Sequence, residues 1–180
     1  MIYTYLQALE QYHSDYRLKQ AVAAGALYRI EKGIYADTPQ PSELAILTAK
    51  YPAAIVTMLS AFYYHGLTDT IPRRLCLCTA RSSRTLRDAR IEQYYEDPAL
   101  LPLGCVRMQR RDAAFFIYDR ERMLIELLRR QSSLPYDLYK EVLGRYRSLI
   151  SELDIERIQA YAESFPKGNK ITLALEREVF

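Results

Sequence analysis

The sequence predicts an α+β fold: a short N-terminal winged lobe, then a mixed, largely antiparallel sheet domain with C-terminal helices. Three observations predict it. Apolar residues recur at helical spacing before Gly25 and again beyond Tyr118, whereas the stretch from Arg74 to Ile117 breaks into short runs with period-two alternation. Strands therefore precede the main helices instead of alternating with them, which separates α+β from doubly wound α/β architecture. The 180 residues are 49% hydrophobic with only 6 Gly and 8 Pro, so the chain can bury a core and lacks the composition of disorder.

The elements follow in order. Tyr5, Leu6, Leu9 and Tyr12 share one helical face. Ser14-Asp15 offers N-cap chemistry to a second helix carrying Leu18, Ala21 and Val22, and Gly25 stops it. Leu27–Ile30 and Gly33–Ala36 flank Glu31-Lys32 as a two-stranded ribbon. Helix followed by ribbon outlines a winged helix, but the full form has three helices and only two fit before Gly25, so residues 1–37 are expected to form an abbreviated lobe. Asp37-Thr38-Pro39-Gln40-Pro41 marks the boundary, with residues 38–180 as the second domain.

Beyond the boundary, Ser42 can cap a helix through Lys50, and Thr57 another from Met58 to His65 that ends at Gly66. Ala53–Val56 is a short apolar stretch between them. Strands are expected at Arg74–Ala80, Ile91–Tyr95, Gly104–Gln109 and Ala114–Ile117. Helices are expected at Asp119–Arg130, Tyr136–Arg147, Asp154–Ser164 and Lys170–Val179.

Charge and composition narrow the function classes. The balance of 25 basic and 22 acidic residues gives +3, too mild to imply nucleic-acid binding by itself. No apolar run reaches the roughly 18 residues of a membrane span, and the opening lacks a signal-peptide pattern, so a cytoplasmic protein is expected. Three cysteines, with Cys76 and Cys78 two apart in an apolar run, read as reduced thiols. His13 and His65 are the only histidines and neither lies in metal-ligand spacing, so no metal and no cofactor are expected.

Two groups of residues could bind a polyanion. Arg17, Lys19 and Gln20 on the second helix, with Tyr28, Arg29 and Lys32 on the ribbon, could touch DNA, the helix reading a groove while the ribbon grips backbone. Residues 1–37 nevertheless hold four basic and four acidic side chains, which leaves a docking or dimerising role open. The densest positive segment contains Arg73, Arg74, Arg81, Arg84, Arg87 and Arg90, opposed within it only by Asp88. Guanidinium forks suit phosphate or carboxylate, and a solvated loop balanced by Glu92, Glu96 and Asp97 is the competing account.

Catalytic patterns fail on context. Ser60, His65 and Asp119 could suggest a nucleophilic triad, but Ser60 lacks a glycine-flanked elbow. Glu92 and Glu96 lie on or near a strand without the acidic and lysine companions of a metal nuclease. The 16 tyrosines, Tyr136, Tyr139, Tyr146 and Tyr161 among them, fall mostly on helical apolar faces, where core or interface packing accounts for them.

The runs Gly25-Ala-Leu-Tyr-Arg-Ile-Glu-Lys-Gly-Ile-Tyr35, Ser60-Ala-Phe-Tyr-Tyr-His-Gly-Leu67 and Ile117-Tyr-Asp-Arg-Glu-Arg-Met-Leu-Ile-Glu-Leu127 match in order and spacing a known pattern. Together they resemble the AbiEi-type antitoxins of bacterial abortive-infection, type IV toxin–antitoxin systems. The resemblance implies a non-enzymatic protein. Its winged-helix lobe would repress its own operon by binding promoter DNA, and its second domain would counteract a nucleotidyltransferase-like toxin. It also implies that Ser60, His65, Gly66, Asp119, Glu121 and Arg122 are structural, that Arg17, Lys19, Gln20, Tyr28, Arg29 and Lys32 face DNA, and that no small-molecule substrate or membrane is involved. On charge alone, Arg81, Arg84 and Arg87 are the candidates to face the toxin or a nucleic acid. A protein-binding relative without operator recognition and a divergent metal-dependent nucleic-acid-processing enzyme are the alternative functions.

Overall fold

Ala8, Leu18, Leu27 and Tyr35 meet in a small core, with Tyr3, Tyr12, Ala21 and Val22 packed against it. In the computed structural model, which describes residues 1–179, this core organises the first of two compact units, Met1–Ala54 with Arg107–Phe115; the second is Ile55–Val106 with Phe116–Phe180. The first unit runs β1 (Ile2–Thr4), α1 (Tyr5–Tyr12), α2 (Asp15–Ala23), β2 (Tyr28–Glu31), β3 (Ile34–Ala36) and α3 (Glu43–Lys50). Its sheet has the order β1-β3-β2, antiparallel throughout. At three residues, β1 is too short to leave an alternation signal, and the sequence reading places no strand there.

Local chemistry sets these boundaries. Thr4 Oγ1 accepts from Gln7 N, and Gln7 Oε1 accepts from Thr4 N at 2.9 Å, a reciprocal cap for α1. Ser14 Oγ accepts from Arg17 N at 3.2 Å to start α2. Gly25, at φ +71°, takes the left-handed turn after α2 that a side chain would resist. Alternation sends Tyr3 and Tyr35 towards α1 and α2, whereas Ile34 and Ala36 are buried outside that cluster and α3 lies against β1 and β3. The proline-bearing segment 37–41 therefore falls inside the first unit, because α3 beyond it packs on the same small sheet.

The second sheet contains β4 (Ile55–Val56), β5 (Leu75–Ala80), β6 (Ile91–Glu96), β7 (Cys105–Arg110) and β8 (Ala113–Tyr118), in the order β6-β5-β4-β8-β7. It is mixed: β4 runs antiparallel to β5 but parallel to β8, and β5 runs parallel to β6. Period-two alternation fixes faces and not directions, so the parallel pairs were not legible in the sequence. The β5–β6 crossover is also unusual, since residues 81–90 make it without a helix. The helices α4 (Met58–Tyr64), α5 (Arg120–Arg129), α6 (Tyr136–Ser148), α7 (Ile155–Ser164) and α8 (Gly168–Glu178) complete the α+β architecture. Among the described residues no helix is long and apolar enough to cross a membrane.

Within the first unit, Ser42 does two jobs. Its hydroxyl accepts from Ala45 N at 3.1 Å as the cap of α3, and donates to Asp112 Oδ1 at 2.6 Å, while its backbone N–H donates to Asp112 Oδ2 at 2.8 Å. Those two bonds hold the Asp112 carboxyl below its ordinary value and anchor the two-residue turn between β7 and β8. Ser42→Ala is therefore expected to cost about 1–2 kcal/mol in urea unfolding, because a cap and an anchor bond go together. Asp112's contribution should be present above its unfolded value and lost as pH falls through the lowered folded one. A Ser42→Ala variant with the stability and acid profile of the parent would remove this account.

Candidate nucleic-acid interface and arginine-rich loop

The exposed face of α2 carries Tyr16, Arg17, Lys19, Gln20 and Ala23, with Leu18 turned into the core. Tyr5 brings the wing turn beside the start of this helix: its N–H donates to Gly33 O at 2.8 Å and its hydroxyl to Asp15 Oδ1 at 3.3 Å. Lys32, exposed on that turn, is thus placed at the same end of the lobe as Asp15. Arg29 pairs with Tyr35 and so lies on the sheet face that carries α2, whereas Tyr28 pairs with Ala36 and points to the opposite face. Tyr28 is separated in this way from the other five residues of its predicted set.

Partners divide those five further. Lys19 Nζ sits 2.7 Å from Asp15 Oδ2, and this contact holds the Asp15 carboxyl below its ordinary value. Gln20 Nε2 donates to Tyr16 Oη at 2.9 Å. Arg17, Arg29 and Lys32 have no ion-pair partner among the described residues. Meanwhile three of the lobe's four acids are occupied, Asp15 by Lys19, Glu31 by Lys50 at 3.4 Å, and Asp37 by the chain's amino terminus. The even balance of residues 1–37 therefore conceals an outward excess of positive charge.

In the second unit, Arg81, Arg84 and Arg87 are all exposed on the β5–β6 crossover. The crossover is fastened to the sheet by Gln93, whose Oε1 accepts from Leu86 N at 2.8 Å and whose Nε2 donates to Arg84 O at 3.3 Å and to Thr79 Oγ1 at 2.8 Å. Arg84, Thr85 and Arg87 line a cavity of about 670 Å³. Arg90 and Arg74 belong to a different class, being paired with Asp88 at 2.8 Å and Glu92 at 3.1 Å.

The motif residues all make structural bonds in the second unit. Ser60 Oγ accepts from Cys76 N at 2.9 Å and donates to Arg74 O at 3.5 Å, joining α4 to β5. His65 caps α4 and donates from Nε2 to Tyr118 O at 2.7 Å; Gly66 follows at φ +72°, where Leu67 N closes back to Phe62 O at 2.8 Å. Asp119 Oδ1 caps α5 by accepting from Arg122 N at 2.7 Å, and Oδ2 accepts from Tyr161 Oη at 2.9 Å. Glu121 Oε1 accepts from Asp154 N at 3.2 Å. No hydrogen bond joins any two of Ser60, His65 and Asp119 among the described residues.

Arg122 is wholly buried, and every donor on its guanidinium finds an acceptor. Nε bonds Glu126 Oε1 at 3.0 Å, Nη1 bonds Leu100 O and Leu103 O at 2.9 Å each, and Nη2 bonds Glu96 Oε2 at 3.0 Å and lies 3.0 Å from Glu126 Oε1. Its planar group stacks 4.4 Å from both the Tyr118 and Phe165 rings. Gly104, at φ +74°, makes room for it: a Cβ there would lie 2.5 Å from Arg122 Cβ. Nothing local in the sequence marks Glu96 or Gly104 as members of this cluster, whereas Glu126, one helical turn after Arg122, carries the spacing of a helical ion pair.

Burial pushes the His65 imidazole below its ordinary value, more than the bond to Tyr118 O raises it. A histidine with a lowered folded value adds stability above its unfolded value, and that stability is lost as pH falls through the folded one. We expect His65→Asn, which can still donate to Tyr118 O, to flatten the pH dependence of the melting temperature between about pH 7 and pH 5. A slope there equal to the parent's would show that His65 binds protons alike in the folded and unfolded chain.

No family model matches the chain, and no curated protein matches it. Among solved structures it resembles the crystal structure of the RV2827C protein from Mycobacterium tuberculosis, with a TM-score of 0.62 and 14% sequence identity over 98% of this chain and 71% of that one. At that identity the likeness shows a shared fold.

Proposed function

We propose that this chain is a non-enzymatic, cytoplasmic antitoxin of the AbiEi type, which binds promoter DNA of its own operon and counteracts a nucleotidyltransferase-like toxin. The observation that carries the DNA reading is the strand–helix–helix–hairpin order of the first unit, with β3 central and the wing turn held beside α2 through Tyr5. That arrangement offers a helix to a groove and a ribbon to the flanking phosphates. The first unit carries eight basic and six acidic side chains, three of the acids being ion-paired, which supplies the modest attraction that phosphate contact needs. The antitoxin reading is supported by the three motif runs, the last two of which supply polar side chains that bond within the second unit.

The test is a titration of duplex DNA from the protein's own operon against random duplex at two salt concentrations. Preferential, salt-dependent binding is expected; equal affinity for both duplexes rejects operator recognition. Co-expression with a nucleotidyltransferase encoded beside it should relieve growth arrest, and failure to do so rejects the antitoxin reading. With magnesium, manganese or zinc the protein should neither cleave nucleic acid nor transfer nucleotides, and activity abolished by Glu92→Ala would favour an enzyme. A second reading, a protein-binding relative without operator recognition, is favoured by the engagement of Lys19 and Gln20 with Asp15 and Tyr16.

A further inference from the structure

The carboxylates that could neutralise the β5–β6 crossover are already occupied. Asp88 accepts two bonds from Arg90, at 2.9 and 2.8 Å. Glu92 accepts from Arg74 at 3.1 Å and from the Tyr94 hydroxyl at 2.7 Å. Glu96 is buried beneath Arg122 and Arg129, each at 3.0 Å. Asp97 turns back to accept from Ala99 N at 2.9 Å. Arg81, Arg84 and Arg87 are left exposed with no acidic partner among the described residues. Of these four acids only Asp97 makes no ion pair among the described residues, so the three arginines outnumber the carboxylates left to balance them.

The charges are also held in place. Arg84 O and Leu86 N are both bonded to the Gln93 amide, and Thr85 Oγ1 lies 3.3 Å from Tyr95 Oη, so the backbone on either side of Thr85 is fastened to β6. An anchored loop loses less freedom when its side chains take up a ligand. Arg84, Thr85 and Arg87 border a concavity of about 670 Å³, within the size range of small-ligand sites, and bring two guanidinium groups and a hydroxyl to it. Like-charged forks around a hollow favour a compact polyanion, and phosphate, with several oxygens per group, satisfies two forks at once.

We propose that Arg84, Thr85 and Arg87 form a binding site for a phosphate-bearing ligand of about nucleotide size, with Arg81, exposed on the same crossover, adding long-range attraction. The site belongs to the second unit alone, so it stands or falls independently of DNA binding by the first.

Calorimetric titration of the full chain with tripolyphosphate, with adenosine triphosphate and with a single-stranded RNA 12-mer tests it, citrate serving as a carboxylate polyanion. At low salt, at least one phosphate probe should bind, and tripolyphosphate should compete with the other two. Arg84→Ala with Arg87→Ala should weaken that binding roughly tenfold or more, since each lost fork is a charge-assisted bond. The double lysine variant, which keeps charge but not the planar fork, should fall between. Arg177→Ala, on exposed α8, should bind as the parent does. Tight binding of inorganic tripolyphosphate alone would make the source a free polyphosphate, of the nucleotide also a nucleotide, and of the 12-mer only an RNA backbone; each supports a phosphate site. No binding of any phosphate probe, affinity unchanged in the folded double alanine variant, or citrate bound as tightly as tripolyphosphate would overturn it.

Discussion

Arg122→Ala should be the most damaging single substitution in the chain, lowering stability by about 3–5 kcal/mol, since two buried carbonyls losing their donors cost about 1–3 kcal/mol each and the void adds to that. The size follows from what the guanidinium joins. It ties the end of β6 through Glu96, the loop before β7 through Leu100 O and Leu103 O, its own helix through Glu126, and the end of α7 through the Phe165 ring. Alanine would leave two carbonyls without donors and a void between two aromatic rings. The carboxylates would not be abandoned, because Arg129 still reaches Glu96 at 3.0 Å and Glu126 at 2.7 Å, and Arg130 reaches Glu126 at 2.9 Å. Arg122→Met should therefore be less harmful than alanine, since it fills the space while Arg129 and Arg130 hold the acids. Urea unfolding monitored by circular dichroism measures both. A loss under about 1 kcal/mol for alanine would mean the cluster contributes no more than an exposed pair.

The same cluster sets an acid limit. Burial works to raise the Glu126 carboxyl, but Arg129, Arg122 and Arg130 outweigh it and hold the group below its ordinary value. A carboxylate lowered in the folded state contributes stability above its unfolded value and loses it as pH falls through the folded one, so the parent should unfold in acid over that window. Arg122→Ala removes one of the three guanidiniums, which should move the acid transition to higher pH.

Much of this architecture was legible because local signals coincide with tertiary need. Ser14, Ser42, Asp119 and Asp154 cap helices at the places their side chains suggest, since a short acceptor ahead of an amphipathic run satisfies the first free N–H groups wherever the helix packs. Thr57 departs from the pattern: it precedes α4 without a side-chain cap bond, its hydroxyl lying 3.8 Å from Met123 Sδ. Long-range partnership was not legible. Nothing local tells Glu96 that it will meet Arg122, or Asp112 that it will bond Ser42, and the loop reading counted Glu96 as a counter-charge that the fold has placed elsewhere. The DNA-facing set shows the same limit. Alternation along β2 separates Tyr28 from Arg29, and only the register with β3 says which of them shares the face of α2.

Within that set, individual substitutions should act in different ways. Arg17 has no partner and stands on the exposed face of α2, so Arg17→Ala should cost about 1–3 kcal/mol of operator affinity and relax preference at one base position, as expected for a lost bidentate base contact. Arg29→Ala and Lys32→Ala should weaken operator and random duplex alike, each lowering the salt slope by about one unit, as expected for phosphate contacts. Lys19 is different because its charge is already shared with Asp15 at 2.7 Å. That pair is exposed and worth little to the fold, so Asp15→Asn should leave the melting temperature nearly unchanged. It should also free the ammonium and remove a negative charge from the start of α2, the helix proposed to meet DNA. Operator affinity should then rise several-fold at low salt, the gain shrinking as salt increases. Fluorescence anisotropy with the parent and the four variants at two salt concentrations separates the roles. If Arg17→Ala weakens binding while Asp15→Asn leaves it unchanged, Lys19 lies outside the contact. If all four variants bind as the parent does, the first unit does not use α2 and its wing to hold DNA.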